Sequence, residues 1–402
     1  MKTKLIISDT DLDGLADNII AQKVAKEIGV PYYAYSHFPT PNSQQPGTTP
    51  STLNLDAVSQ YLAVDFGGVW IFDIPPPIQT VLRANLINQL KNLVSLGVGV
   101  EIYDVVDHAT EEHWRQLLSS GVKLSLYSNG YELKRSFAWS HGVYGGDVDG
   151  WALIGSVADF DPAVRDVNEE LEERVVKVDQ AYKFAMPNVD EIKSLIPRYG
   201  SAGAVAVYVT QRNMGPEEFI EWGIGLYEKL PPDKKIPENV VYETTAHGVV
   251  IDAVANKIPP GLTWKTASET ARRSKSWYAV VYNVPPPPGK QGTGIIVAKY
   301  WRVGEEVARA IDEAVDAVGK KYGVTPFGHS GAKSLVFPLG TDTKEIAKEL
   351  VALVEHKLSQ SLSSVTQLVN VDFVARAVQR DFSQIREGLD EIKRILSTRV
   401  SS

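Results

Sequence analysis

Lys4-Leu5-Ile6-Ile7-Ser8-Asp9-Thr10-Asp11-Leu12-Asp13-Gly14 is an apolar run that stops at three aspartates. The run reads as a buried strand, and Ala16 to Ile28 reads as the amphipathic helix after it. Strands of parallel sheets are covered on both faces, so they appear as continuous apolar stretches. Open sheets of this kind take their ligands beyond the carboxyl ends of the strands. The stretch therefore predicts a fold class, α/β with a doubly wound parallel sheet, and a location for its chemistry. Asp11 and Asp13, two apart in a tight strand-to-helix loop, are placed to face one cavity. The plainer alternative is that such a pair only caps the helix near Gly14.

Working outward, the pattern recurs. Val69-Trp70-Ile71-Phe72 ends in Asp73, and Pro75-Pro76-Pro77 stops that strand before a helix from Ile78 to Leu96. Gly97 closes this helix and Val98 to Val106 gives a strand ending in Asp107-His108. Thr110, Glu111 and Glu112 open a short helix to Ser120, and Val122 to Tyr127 returns as a strand. Leu153-Ile154-Gly155-Ser156-Val157-Ala158 also reads as a strand, ending in Asp159. Carboxylates gathered from four segments repel one another unless cations neutralise them. Hard oxygen donors favour Mg²⁺ or Mn²⁺, and one histidine in the set shifts the balance toward Mn²⁺.

The bulk composition narrows the field. A chain of 402 residues with 44% hydrophobic and 22% charged residues is that of a soluble globular protein of more than one domain. The absence of cysteine excludes disulfides, thiolate zinc sites and cysteine nucleophiles. Met1-Lys2-Thr3-Lys4 leads straight into a strand, so no signal peptide, no membrane span and a cytoplasmic location are expected. The lack of cysteine, with 3 Met and 23 Pro, hints at a thermophile. A net charge of −8 argues against general coating of DNA and leaves room for a local basic groove.

Taken together, Asp9–Gly14, Asp73, Asp107-His108-Ala109 and Gly155–Asp159 resemble, in order and spacing, the four motifs of the DHH phosphoesterase superfamily, which includes RecJ-like exonucleases. Gly328-His329-Ser330-Gly331-Ala332 is similar to the glycine loop of the DHH-associated C-terminal domain. The resemblance spans residues 4–357 and departs from the family in three places. Asp9 stands where the first motif usually has histidine, Ala109 replaces the second histidine of the third, and Thr325-Pro326-Phe327 replaces glycines. It implies two Mn²⁺ or Mg²⁺ ions, one held by Asp9, Asp11 and Asp73. The other would be held by Asp13, Asp73, His108 and Asp159, with Asp73 bridging and Asp107 orienting His108.

The resemblance also implies a catalytic domain (1–162), connector helices (163–200), a DHH-associated substrate-binding domain (201–360) and a helical tail (361–402). The second α/β region is expected to begin with a strand at Ala204–Val209. Residues 261–302 carry seven cations, among them Arg272, Arg273, Lys299 and Arg302, against the single acid Glu269. Trp264, Trp277, Tyr278, Tyr300 and Trp301 interleave with them, which suggests a phosphate track with stacking faces. A solvated face over buried aromatics is the alternative. Gly328, His329 and Ser330 would add substrate contacts. In the tail, Val371, Ala375, Val378, Phe382, Ile385, Leu389, Ile392 and Leu396 form a heptad seam. That seam would fold back, pair two copies, or dock on a helicase-like partner. The function expected is hydrolysis of single-stranded DNA or RNA by a RecJ-like exonuclease, threaded between the two domains. A phosphodiesterase for short oligoribonucleotides or cyclic dinucleotides, and a catalytically silent scaffold in a replication or repair complex, are the alternatives.

Overall fold

The computed structural model describes residues 2–36, 66–77, 80–106, 109–127, 130–159, 161, 164, 166–259, 261–285, 292–329 and 331–368. They fall into two compact units, Met1–Asn239 and Val240–Ser402.

In the first unit strands and helices alternate: β1 (Thr3–Ser8), α1 (Leu12–Glu27), β2 (Tyr32–Ser36), β3 (Phe66–Phe72), α2 (Thr80–Ser95), β4 (Gly99–Val105), α3 (Glu111–Leu118) and β5 (Lys123–Tyr127). Every strand pair is parallel, in the order β2-β1-β3-β4-β5. Parallel neighbours need a covered crossover, which the helices supply. The chain steps from β1 out to β2, then returns past β1 to lay down β3, so the winding reverses between β1 and β3. One face of the sheet packs Leu5, Ile7, Val69 and Ile71 against Leu86, Leu90, Trp114 and Leu117 of α2 and α3.

The other face is thicker than a single helical layer. It carries α1 together with α4 (Gly130–Ser140), α5 (Asp147–Ala158), α6 (Glu169–Phe184), α7 (Asp190–Tyr199), α8 (Ser201–Gln211) and α9 (Pro216–Glu228). Because α5 and α8 both pack on α1, that helix is buried all round rather than amphipathic. Two of its polar residues are satisfied internally: Asn18 Nδ2 donates to Ser8 Oγ (2.9 Å) and Gln22 Nε2 donates to Asn18 Oδ1 (2.8 Å).

Three expectations are corrected here. Leu153–Ala158 is the C-terminal half of α5 and Ala204–Val209 lies within α8; neither is a strand. Both segments are buried on every side, so their apolar residues show no period, and length and packing decide the outcome. The charged helix α6 does not connect two domains. It buries Val175, Val178, Ala181 and Tyr182 inside the first unit, and the division falls at Asn239 rather than near residue 162.

On the sheet, Glu101 of β4 gathers four donors. Trp70 Nε1 (3.1 Å), Tyr103 Oη (3.1 Å), Lys4 Nζ (3.4 Å) and Lys123 Nζ (2.9 Å) all point to its carboxylate. Burial alone would raise this carboxyl; the Lys123 hydrogen bond, Lys4 and the Trp70 N–H outweigh it and hold the group down to about 2.

The second unit is a mixed sheet in the order β10-β11-β9-β8-β7-β6. Its strands are β6 (Tyr242–Thr244), β7 (Gly248–Asp252), β8 (Tyr278–Val284), β9 (Thr293–Lys299), β10 (Phe327–His329) and β11 (Ala332–Phe337). Only β7 and β8 pair in parallel. Helix α10 (Thr263–Arg273) packs on one face, and α11 (Glu305–Tyr322) with α12 (Thr343–Leu368) on the other. The heptad seam from Val371 to Leu396 lies outside the described residues. Among the described residues no helix is long and apolar enough to cross a membrane.

Candidate metal centre

The loop after β1 and the loop after β3 meet at the reversal point of the sheet. The amide of Asp73 donates to the carbonyl of Tyr103 (2.9 Å), and Asp73 adopts φ of 56°, a left-handed conformation that aspartate tolerates better than most residues. This turn aims Asp73 back across the strand ends. Asp9, Asp11 and Asp73 each present an oxygen within 4.8 Å of the other two. Asp11 also caps α1, its Oδ1 accepting the Gly14 N–H at 3.2 Å. A cap occupies one direction of one oxygen, so capping and cation binding are compatible.

Gly14 is required beside this loop, since a Cβ there would lie 2.7 Å from the carbonyl oxygen of Asp9. From the far side, buried Tyr182 of α6 donates its hydroxyl to the carbonyl of Thr10 (2.8 Å), pinning the residue between the two aspartates.

The electrostatics are those of a site short of positive charge. Burial first, then repulsion from Asp13 and Asp159, pushes the Asp11 carboxyl well above its ordinary range. Burial, then Asp73 and Asp159, raises Asp13, while Lys134 opposes the rise. Asp73 is raised by burial, with Asp11 and Asp104 adding to it and Asp13 and Lys134 opposing. Crowded carboxylates raised by burial first and by one another's charge second are what a hard divalent cation relieves, so the donor set fits Mg²⁺ or Mn²⁺.

Asp13 is buried beside the trio, and its Oδ2 lies 3.9 Å from Lys134 Nζ. Asp159 is the exposed C-cap of α5, a helix end rather than a strand end. Asp107 and His108 lie outside the described residues. Three buried groups beside the centre, Asp17, Lys134 and Tyr182, are not apparent in the motifs. The readable signal for Lys134 is its position on one helical face with Phe137, Ala138 and His141, where an apolar residue is the norm.

In the second unit, Arg272 Nε and Nη2 both bond the buried Glu269 (2.9 and 2.6 Å), and Arg273 Nε joins them (2.8 Å). Three charged groups thus leave one net positive unit at this turn. The aromatics are not stacking platforms: Tyr278 and Trp301 are buried, and Trp264, Trp277 and Tyr300 pack against the two cores. Trp264 sits in α10 and Tyr278 opens β8, while Trp277, Tyr300 and Trp301 flank the ends of β8 and β9. Arg302 stacks on Trp301 (4.9 Å). Lys299 lies across the glycine loop: its N–H donates to Gly331 O (2.8 Å), and a Cβ on Gly331 would meet its Cδ at 2.7 Å. Gly328, with φ of 120°, leaves only 2.3 Å between a Cβ and Ala332 O, so the hairpin demands glycine there. The Ser330 placement and the His329 side chain lie outside what is described. His247, which shows no partner in the sequence, bonds Glu355 through Nδ1 (2.5 Å).

No protein-family model matches the chain, and no curated protein matches its sequence. In structure the chain is similar to DHH-type proteins. A manganese-bound RecJ exonuclease has 14% identity and a TM-score of 0.38, over 88% of this chain and 89% of that one. CDC45 from Entamoeba histolytica has 8% identity and a TM-score of 0.37, over 88% and 95%. The DHH domain of a protein from a ribosomal-protein family has 13% identity and a TM-score of 0.41, over 89% and 86%. At these identities and scores the functional reading rests on the centre's own geometry.

Proposed function

We propose that this chain is a divalent-metal-dependent phosphodiesterase of the DHH type that hydrolyses single-stranded nucleic acid from an end. The observation that carries the reading is the convergence of Asp9, Asp11 and Asp73 at the reversal point of a parallel sheet. Open α/β sheets bind ligands at that point. When bound, a divalent ion supplies an acidified water and a Lewis acid for a phosphoryl oxygen. Asp73 would join the two strand-end loops at one cation. Tyr182 and Gly14 keep the Asp9–Asp11 loop in shape, and His108 with Asp107 would complete the ligand and orienting set. In the second unit Lys299, Arg302, Gly328, His329 and Ser330 would contact the substrate backbone, with Arg273 contributing more than the doubly bonded Arg272.

The test is purified protein with Mn²⁺ on end-labelled single strands of several lengths beside a cyclic dinucleotide. Product ladders from long strands support the proposal. Cleavage confined to the shortest oligomers or to the cyclic compound would replace it with a small-substrate hydrolase. A second reading, a scaffold without catalysis, is favoured by Lys134 beside Asp13 and by Asp9 where the DHH motif has histidine. Mn²⁺ binding with silence on every substrate would select it.

A further inference from the structure

The cluster of aspartates in the first unit contains a cation of its own. Lys134 is only 1% exposed at its side chain and points from α4 to within 3.9 Å of Asp13 Oδ2. Its route is built in. Gly155 of α5 lies against the lysine stem, where a Cβ would come within 2.8 Å of Lys134 Cε, 3.0 Å of Ala16 Cβ and 3.3 Å of Asp13 Cα. Any larger residue at 155 would close the passage.

The carboxylate facing this ammonium is Asp13, and Asp17, Asp73 and Asp159 also act on it. Three of these four are the side chains that the DHH resemblance assigns to the second ion. Asp17, the fourth, is buried on α1 with Oδ2 lacking a hydrogen-bond partner, and Lys134 is a cation acting on it. Asp9, Asp11 and Asp73 gather within 4.8 Å, and Asp13 lies on the lysine side of them, its carboxyl reaching Asp11 and Asp73 as well as Lys134.

We propose that Lys134 is the resident cation on the Asp13 side of the centre, taking the electrostatic place of a second metal. The chain then holds one divalent ion, at Asp9, Asp11 and Asp73. This deepens the metal-dependent reading above and rests on it. An ammonium has no open coordination position and cannot acidify water, so water activation falls to the single ion. Lys134 is a positioning residue: it fixes Asp13 and Asp17 and spares the protein an uncompensated carboxylate cluster when the ion is absent.

The experiment is calorimetric titration of chelator-stripped, full-length protein with Mn²⁺, paired with melting curves in chelator. Wild type should bind one Mn²⁺ per chain. Lys134→Met should melt lower in chelator, bind two Mn²⁺, and recover more in melting temperature on adding Mn²⁺ than wild type does. Lys134→Arg should keep a count of one. If Lys134→Met does not fold without metal, refolding it with and without Mn²⁺ makes the same comparison, with rescue by Mn²⁺ alone expected. Two ions in wild type, with the count unchanged in Lys134→Met, would overturn the proposal. No ion in either protein would sink the metal centre and this inference together. One ion without cleavage of any substrate would leave the inference standing while the nuclease reading fell, and two ions with cleavage would do the reverse.

Discussion

The amide of Asp9 donates to the carbonyl of Phe72 at 3.2 Å, tying the residue after β1 to the last residue of β3. Because Phe72 precedes Asp73, this bond sets the separation of the two strand-end loops. The trio is therefore a product of sheet register, in which Ser8 pairs with Phe72, rather than of flexible side chains finding one another.

Asp73→Asn should lower Mn²⁺ affinity by at least about 100-fold, since one of three anionic ligands is lost. Hydrolysis should fall with it. Asparagine tolerates the left-handed backbone of residue 73, so the fold should survive. Melting in chelator should be unchanged or higher, because a repelled carboxylate has been removed. Full activity at saturating Mn²⁺ would refute the assignment.

The metal-free protein should become less stable as pH rises. Burial pushes the Asp17 carboxyl up to about 7 against the opposing pull of Lys134. A raised folded-state value means the stability is present below the unfolded value near 4 and is lost as pH climbs through about 7. Asp17→Asn should then stabilise the chelated protein at pH 8, by up to about 4 kcal/mol, and have little effect at pH 4. Denaturant titrations at the two pH values measure the difference.

Glu101 should show the opposite dependence. Its carboxyl is held down to about 2, so its contribution is intact above about 4.5 and disappears as pH falls toward 2. Glu101→Gln should cost about 1–2 kcal/mol at pH 7 after allowance for the exposed end of Lys123, and nothing near pH 2. Raised salt should shrink the neutral-pH effect.

Arg272 and Lys299 should separate structure from binding. Arg272→Ala removes a bidentate partner of buried Glu269 and should cost about 2 kcal/mol in stability, with Arg273 compensating part. It should leave the salt dependence of strand binding alone. Lys299→Ala should flatten that slope by about 0.7 with little change in melting. Equal effects of both on the slope would mean that Glu269 does not hold Arg272 in solution.

The parallel sheet of the first unit is readable because β1, β3 and β4 are apolar runs ended by acids, prolines or capping residues. The aspartates at the ends of β1 and β3 can be placed for the same reason. Ala204–Val209 and Leu153–Ala158 cannot be typed, since residues enclosed on all sides carry no periodic mark. Lys134 escapes notice for a related cause. A lysine on an otherwise apolar helical face becomes meaningful only once the facing carboxylates are known, and the nearest of them, Asp13 and Asp17, come from a segment more than a hundred residues away.

The hydrogen bond from Tyr182 to Thr10 gives the centre a history as well as a shape. During synthesis Asp9 and Asp11 leave the ribosome long before α4 can supply Lys134, and longer still before α6 can supply Tyr182. Until then the loop is held only at its flanks, by the Asp9 amide on Phe72 and the Gly14 amide on Asp11, and its outer side stays open to water. The shape of the proposed site is therefore complete only once residue 182 has been made.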